Sequence, residues 1–323
     1  MKTTITTLNN LSTKELKKTL QSKMPIAFPT ETVYGLGAPY DDEETIFNVF
    51  VLKGRPLNNP LIVHVSSIDM IEPLVDNIHA DARVLMETFF PGPLTLIMKK
   101  SDNVSARVTA NQDTVGIRMP NHQVALDLIS RVGKPLVAPS ANISGRPSGT
   151  DAMDVFEDFQ GKIPFIIDGE TSDVGIESTI IDTTREPFVI LRPGAITREM
   201  IEKTLKKPLA TTINNEVVAP GMIHPHYEPD HPLTILRGDD EHIIYYVNQK
   251  KDALFIGHQR FMPFIDIEKL SLGQDVKEMT RYLYHVLRQS NHMDIKEIYT
   301  HEIDHEGYMN RLLKASKNQI IDV

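Results

Sequence analysis

Two triplets in this chain are best suited to chemistry: Lys53-Gly54-Arg55, within KGRPLNNP, and Ser140-Ala141-Asn142, within APSANISGRPSG. Loops rich in Gly, Pro, Ser and Asn hold irregular backbone and present side chains at the rim of a scaffold. Arginine forks onto phosphate or carboxylate, and lysine meets them as a point charge. Serine and asparagine add neutral donors and acceptors that can orient a sugar or an amino acid. The combination predicts a nucleotide site built without a G-x-x-x-x-G-K-[ST] loop, which the chain lacks.

Other residues invite chemistry less directly. In VGIRM, strand alternation puts Val115, Ile117 and Met119 on one face and Gly116 with Arg118 on the other. A glycine beside an arginine leaves room for a ligand to approach the sheet. His64, in LIVHV, reads by itself as a core or edge histidine. His301-Glu302-Ile303-Asp304-His305 matches H-E-x-x-H. Zinc chemistry needs both of those histidines on one helical face, and here the match follows a strand and reaches Gly307 before the helix is established. His224, His226 and His231 alternate with Pro225, Pro229 and Pro232, which break regular ligand spacing. No resident metal is expected.

The elements that must position these groups follow from periodicity and caps. Ser12-Thr13-Lys14-Glu15 forms a capping box ahead of Leu16 and Leu20. Helices are predicted over Glu44 to Leu52, ended by Gly54 and Pro56, over Ala80 to Phe89, over Val124 to Arg131 with Asn121 as cap, and from Thr197 to Leu205. Strands are predicted over Pro25 to Phe28, Leu61 to Val65, Leu94 to Met98, Val115 to Met119, Leu136 to Ala138, Phe165 to Ile167, Ser178 to Ile181 and Phe188 to Leu191. This mixture gives an α/β domain over residues 1–205. Residues 206–232, rich in proline and histidine, read as a linker. Beyond it, strands at Thr234 to Leu236, His242 to Val247, Ala253 to Ile256 and Glu297 to Thr300 combine with helices at Asp275 to Gln289 and Gly307 to Lys317. That pattern predicts a smaller Rossmann-like α/β domain over 233–323, without a G-x-G-x-x-G fingerprint.

Composition narrows the classes. A chain of 323 residues with 41% hydrophobic residues suits about two packed domains. The absence of cysteine excludes disulfides and thiolate metal sites and points to a reducing compartment. MKTTITTLNN lacks the apolar core of a signal peptide, and no apolar run reaches the length of a membrane span. A cytoplasmic protein with no membrane segment is expected. The formal net charge of -9 speaks against stable nucleic-acid binding while allowing a local basic cleft for a small polyanion.

Seven motifs then occur in order: PTETVYGLGA, KGRPLNNPL, FFPGPLT, GIRMP, APSANISG, ESTIID and ILRPG. Together they resemble the YrdC-like domain of threonylcarbamoyl-adenylate synthases. APGMIHPHYEP and NRLLKAS resemble the long, two-domain form. The resemblance implies an open twisted α/β sheet with a large positive cavity. It implies synthesis of threonylcarbamoyl-adenylate from L-threonine, bicarbonate and ATP, with pyrophosphate as co-product and magnesium arriving with ATP. The product would feed threonylcarbamoyl modification of tRNA, with downstream tRNA-modifying machinery as a partner. By the same resemblance Thr32, His64, Arg118, Ala138 and Ser178 would hold threonine. Arg55, Asn59, Thr114, Ser140, Asn142, Ser148, Arg192 and Tyr227 would hold ATP, with Lys53 and Arg55 as catalytic cations. Apart from the resemblance, the proline-rich linker with Tyr227 reads as a lid over the cavity, the alternative being a passive tether between independent domains. The alternatives are a YrdC-like RNA-binding or regulatory module without turnover, and a carbamoyl-adenylate-forming domain of the hydrogenase-maturation type. The latter context brings acylphosphatase and zinc-finger segments that this chain lacks.

Overall fold

The computed structural model describes residues 1–211, 220 and 227–323. The first unit runs β1 (Thr4–Thr7), α1 (Thr13–Gln21), β2 (Ile26–Phe28), β3 (Gly35–Pro39), α2 (Glu43–Lys53), β4 (Ile62–His64), α3 (Ala80–Phe89) and β5 (Leu94–Lys99). It continues through α4 (Ala106–Thr109), β6 (Thr114–Arg118), α5 (Gln123–Val132), β7 (Leu136–Val137), α6 (Ala152–Phe159), β8 (Phe165–Asp168), β9 (Thr179–Asp182), β10 (Val189–Arg192) and α7 (Arg198–Leu205). Its strands form one mixed ten-stranded sheet in the order β1-β8-β2-β3-β7-β4-β6-β5-β9-β10.

The second unit runs β11 (Leu233–Arg237), α8 (Asp240–Asn248), β12 (Ala253–His258), β13 (Glu268–Gly273), α9 (Val276–Ser290), β14 (Glu297–His301), α10 (Glu306–Ala315) and β15 (Ile320–Asp322). Its five strands are all parallel, in the order β13-β12-β14-β11-β15. Parallel strands joined by helices make the Rossmann-like α/β arrangement expected of this part of the chain.

Local chemistry explains where the first elements start and stop. The capping box at Ser12 and Glu15 is present in both directions. Asp42 caps α2 through the Thr45 amide, and Gly54 ends it in the left-handed region at φ 61. Because that turn is so tight, the neighbouring Lys53 and Arg55 point to different targets. The start of the proline-rich stretch is packed against the first sheet, where the Ala210 amide donates to the Phe188 carbonyl at 2.8 Å.

Several expectations need correction. HIIYYV (242–247) lies in a helix, not a strand: Asp239 caps α8 and the buried Ile243 and Val247 stand four apart. The cap of α5 is His122, whose side chain makes no capping bond, rather than Asn121. Helix α6, capped by Asp151, and strands β1, β3, β13 and β15 were not anticipated. Gly116 makes room for packing rather than for a ligand, since a Cβ there would meet Ile97 at 3.1 Å and Thr95 at 3.3 Å.

The two units share apolar packing. Val33, Ile176 and Tyr227 join the core formed by Met279, Leu283, Tyr284, Tyr308 and Leu312, so one face of α9 and α10 is buried against the first unit. Arg288 of α9 reaches across to the Pro147 carbonyl at 3.0 Å and to Asp158 at 3.1 Å. The close approach at Gly307, where a Cβ would lie 2.9 Å from the Gly194 carbonyl oxygen, leaves no space for a side chain.

Candidate active site

A cavity opens where β3, β4, β6 and the 138–142 loop converge, and its wall includes Thr32, Arg55, His64, Arg118, Ala138, Ser140, Asn142, Ser178, Arg192 and Tyr227. These predicted site residues come from all along the first unit and from within the proline-rich stretch. Backbone bonds set the loop: the Leu36 amide donates to Pro139 at 2.9 Å and the Ala141 amide to Tyr34 at 2.7 Å.

Lys53, Asn59, Thr114 and Ser148 are not part of that wall. Lys53 is buried and donates to the carbonyls of Ser140 and Asn142, each at 2.5 Å. Its ammonium therefore braces the 140–142 loop from behind. Burial, followed by the charge of Arg55, pushes its pKa well below the ordinary lysine value. Asn59 lends its carbonyl to Arg55 Nε at 3.4 Å. Ser148 donates to the Glu177 carboxylate at 2.7 Å. Thr114 pairs with Lys99 at the opposite end of β6 from Arg118, and four residues of strand amount to roughly 13 Å.

One end of the cavity is organised around Arg118. Its Nη1 donates to Thr32 Oγ1 at 2.8 Å, and its Nη2 lies 2.6 Å from Glu31 Oε2. That ion pair is buried but badly aligned for hydrogen bonding: Nε, Nη2 and both Glu31 oxygens lack a well-directed partner. Orphaned buried polar atoms of this kind are costly and ask for an occupant. His64 pairs with Arg118 in register across β4 and β6. Burial, then the Arg118 charge, pushes its pKa down to about 3, so the imidazole is neutral.

The other end carries cations whose hydrogen-bond acceptors, among the described residues, are neutral. Arg192 donates to the Ser178 carbonyl at 2.9 and 3.1 Å, to Ser178 Oγ at 3.2 Å and to the Pro220 carbonyl at 3.1 Å. Arg55 donates to the Pro60 carbonyl at 2.8 Å. Burial and neighbouring positive charge show in their acidities: Arg55 is pulled to about 9, by burial and by Arg192, and Arg192 to about 10, by burial and by Arg311. Ser178 Oγ also meets Thr95 Oγ1 at 2.7 Å, which ties the two strands β5 and β9 behind the site.

Tyr227 enters this end from the second unit's side. It holds φ 68, stacks on Tyr284 with ring centroids 5.1 Å apart, and is followed by a Glu228 amide that donates to the Gly145 carbonyl at 2.8 Å. Pro220 and Tyr227 thus bring described parts of the proline-rich stretch to the cavity. His224, His226 and most of the expected lid lie outside the described residues. The H-E-x-x-H match splits between two elements, since His301 ends β14 and His305 caps α10.

Sequence reasoning missed the site's carboxylates and their cross-unit partners. Glu177 accepts from Arg311 Nε at 2.9 Å, from the Tyr284 hydroxyl at 2.9 Å and from Ser148. Burial alone would raise its pKa, but Arg311, Arg192 and these bonds hold it at about 2. Glu31, Glu177 and Arg311 all lay inside quoted motifs, yet none was singled out.

Comparison with known proteins gives the family. The Sua5/YciO/YrdC family model, described as telomere recombination, matches residues 18–194, and the model for the threonylcarbamoyl-AMP synthase C-terminal domain matches residues 196–317. The threonylcarbamoyl-AMP synthase of Pyrococcus abyssi is 40% identical, over 92% of each chain. That of Bacillus subtilis is 38% identical, over 94% of this chain and 92% of its own. The crystal structure of P. abyssi Sua5 complexed with L-threonine superposes with a TM-score of 0.89 at 37% identity, covering 100% of both chains. With both family models matched in order and relatives aligned along nearly their whole length, this chain belongs to the threonylcarbamoyl-AMP synthase family, in its two-domain form.

Proposed function

We propose that this protein makes threonylcarbamoyl-AMP and pyrophosphate from L-threonine, bicarbonate and ATP, as a nucleotidyltransferase serving tRNA threonylcarbamoyladenosine modification. The observation that carries this reading is the division of charge in one cavity. At one end Arg55 and Arg192 have neutral hydrogen-bond acceptors among the described residues, which suits a polyphosphate. At the other, Arg118 Nε and Nη2 lack aligned acceptors, which a substrate carboxylate would supply.

In the proposed reaction the threonine amine condenses with bicarbonate to a carbamate, releasing water. A carbamate oxygen attacks the α-phosphorus of ATP, the bond to the β-phosphate oxygen breaks, and pyrophosphate leaves. The protein's task is positioning and charge stabilisation. Thr32, Arg118, Ala138 and Ser178 would seat threonine, with the neutral His64 shaping the pocket rather than moving a proton. Arg55, Ser140, Asn142, Arg192 and Tyr227 would seat the nucleotide. Lys53, Asn59 and Ser148 would act by holding those residues in place. Thr114 gains no support from its position at the far end of β6.

Magnesium would enter with ATP. Glu177, the acidic residue of the cavity wall, and Glu31 behind Arg118 are already paired with Arg311 and Arg118, so the donor set does not fit a protein-held ion. Phosphate oxygens and water would be its ligands. No helix among the described residues is long and apolar enough to cross a membrane, and a cytoplasmic setting suits ATP, bicarbonate and tRNA chemistry.

The test is incubation of the full chain with ATP, L-threonine and bicarbonate. Pyrophosphate and threonylcarbamoyl-AMP should appear only when all three are present. Binding of RNA with no pyrophosphate release under those conditions would refute the reading.

A further inference from the structure

The second unit reaches the charged part of the cavity wall through a carboxylate. Glu177 is the only acidic residue among the described residues of the cavity wall. Two of the donors on its side chain belong to the second unit, Arg311 on α10 and the Tyr284 hydroxyl on α9, each at 2.9 Å. Arg311 is wholly buried and is fixed from three sides, donating also to the Glu177 carbonyl at 2.9 Å and to the Pro193 carbonyl at 2.6 Å. Tyr284 also stacks on Tyr227, which faces the cavity.

A carboxylate at this position is a liability for any polyanion that Arg55 and Arg192 attract. Charges interact strongly where water is excluded, so an uncompensated Glu177 would cancel much of the attraction those arginines provide. We infer that Arg311, a residue of the second unit, is the counter-ion that makes Glu177 compatible with a bound polyphosphate, so that the second unit is an electrostatic part of the nucleotide site. Arg311 is a positioning residue: it acts through Glu177 and does not touch substrate. This inference rests on the nucleotide reading above.

A purely structural role, in which Arg311 only welds the two units together, predicts different rescue. The full chain is compared with Arg311→Met, Glu177→Gln and the double variant. Binding of α,β-methylene ATP is measured by calorimetry, and KM for ATP and for threonine by pyrophosphate release. Arg311→Met should raise KM for ATP and weaken analogue binding by about tenfold or more, because one buried charge is left unpaired. KM for threonine should move by less than about twofold, since Arg118 is untouched. Removing the orphaned carboxylate should then restore ATP binding, so the double variant should resemble Glu177→Gln. Should Arg311→Met fail to fold, Tyr284→Phe decides, because it keeps the ring on Tyr227 and removes a hydroxyl that bonds Glu177 and meets Tyr227. It should weaken analogue binding in the native background and by clearly less in the Glu177→Gln background, where only the link to Tyr227 is lost.

A double variant that keeps the Arg311→Met defect overturns the inference. So does a rise of both KM values in step, or a Tyr284→Phe effect that is undiminished in Glu177→Gln. If the unaltered protein neither binds the analogue nor releases pyrophosphate, the nucleotide reading itself has failed. Analogue binding by the unaltered protein with none of the variant effects defeats the counter-ion role alone.

Discussion

The cavity of the first unit and the crevice at the C-terminal ends of β11, β12 and β14 both gather arginines, but they treat them differently. In the crevice, Arg260 forks onto Asp240 at 2.8 and 3.0 Å, and Arg237 forks onto Glu302 at 2.8 and 3.1 Å, all four side chains being exposed. In the cavity, Arg192 is buried and Arg55 half-buried, and their partners among the described residues are carbonyl and hydroxyl oxygens. Topology alone would favour the crevice, because open parallel sheets bind ligands beyond the carboxyl ends of their strands. Charge favours the cavity. An arginine already forked onto a carboxylate has little left to offer an anion, whereas one held by neutral oxygens keeps its charge available.

The largest effect should come from removing that available charge. Arg55→Gln and Arg192→Gln should each cut pyrophosphate release by about 10²- to 10³-fold, the range seen when a preorganised charge-stabilising group is lost. Their melting temperatures should hold or rise, since burying a cation among neutral groups costs stability. A variant that melts earlier while keeping its activity would put these arginines in the same structural class as the crevice pairs.

The carboxylate end should respond more selectively. Arg118→Lys keeps a charge but loses the fork. KM for threonine should rise by about tenfold or more, and ATP analogue affinity should change little, because one good charge-assisted bond is worth roughly that much. An equal loss for both substrates, read from steady-state kinetics and calorimetry, would erase the distinction between the two ends of the cavity.

How much of this was readable beforehand depends on distance along the chain. Helix α2 was legible because its stop, Gly54, sits beside its last residue and obeys a local rule. HIIYYV misled because its β-branched and aromatic residues favour strand, while Asp239, Asp240 and Glu241 ahead of it carried the helix signal. The motif loops of the cavity were legible by type. The direction of a side chain was not: Lys53 and Arg55 stand two residues apart, yet one braces a loop and the other faces the cavity. Least legible were the buried counter-ions. Glu177 and Arg311 are separated by 134 residues, and neither has a recognisable role until the other is beside it.

A smaller effect should appear in acid, and it sharpens the contrast between buried and exposed pairs. The Glu177 carboxyl is lowered from 4.5 to about 2 by Arg311, Arg192 and its hydrogen bonds, which outweigh burial. A depressed carboxyl stabilises the fold above its unfolded value and loses that contribution as pH falls through the folded value. The window is therefore pH 4.5 down to about 2, and the contribution is on the order of 3 kcal/mol. Denaturant melts of native protein and Glu177→Gln should show a stability gap that shifts across this window in the direction of relative loss for the native chain. A gap that does not vary with pH would mean that Glu177 is not held by those partners.

The smallest effect is expected from the crevice itself. Arg260 and Asp240 are about half-exposed, so their attraction is screened and offset by the entropy of holding two side chains in place. Arg260→Gln, Asp240→Asn and the double variant should each shift stability by no more than about 1 kcal/mol, with a coupling energy below that. Pyrophosphate release should stay at the native rate in all three, because neither residue lines the cavity or contacts Glu177. A thermal-shift screen of the same variants against anions such as inorganic phosphate gives the sharper reading. If Arg260 is saturated by Asp240, Asp240→Asn frees its charge and phosphate should begin to stabilise that variant while leaving the native protein unmoved. Phosphate stabilisation already present in native protein and lost in Arg260→Gln would show that a paired, exposed arginine can hold an anion after all, and the rule drawn from the two clefts would fail.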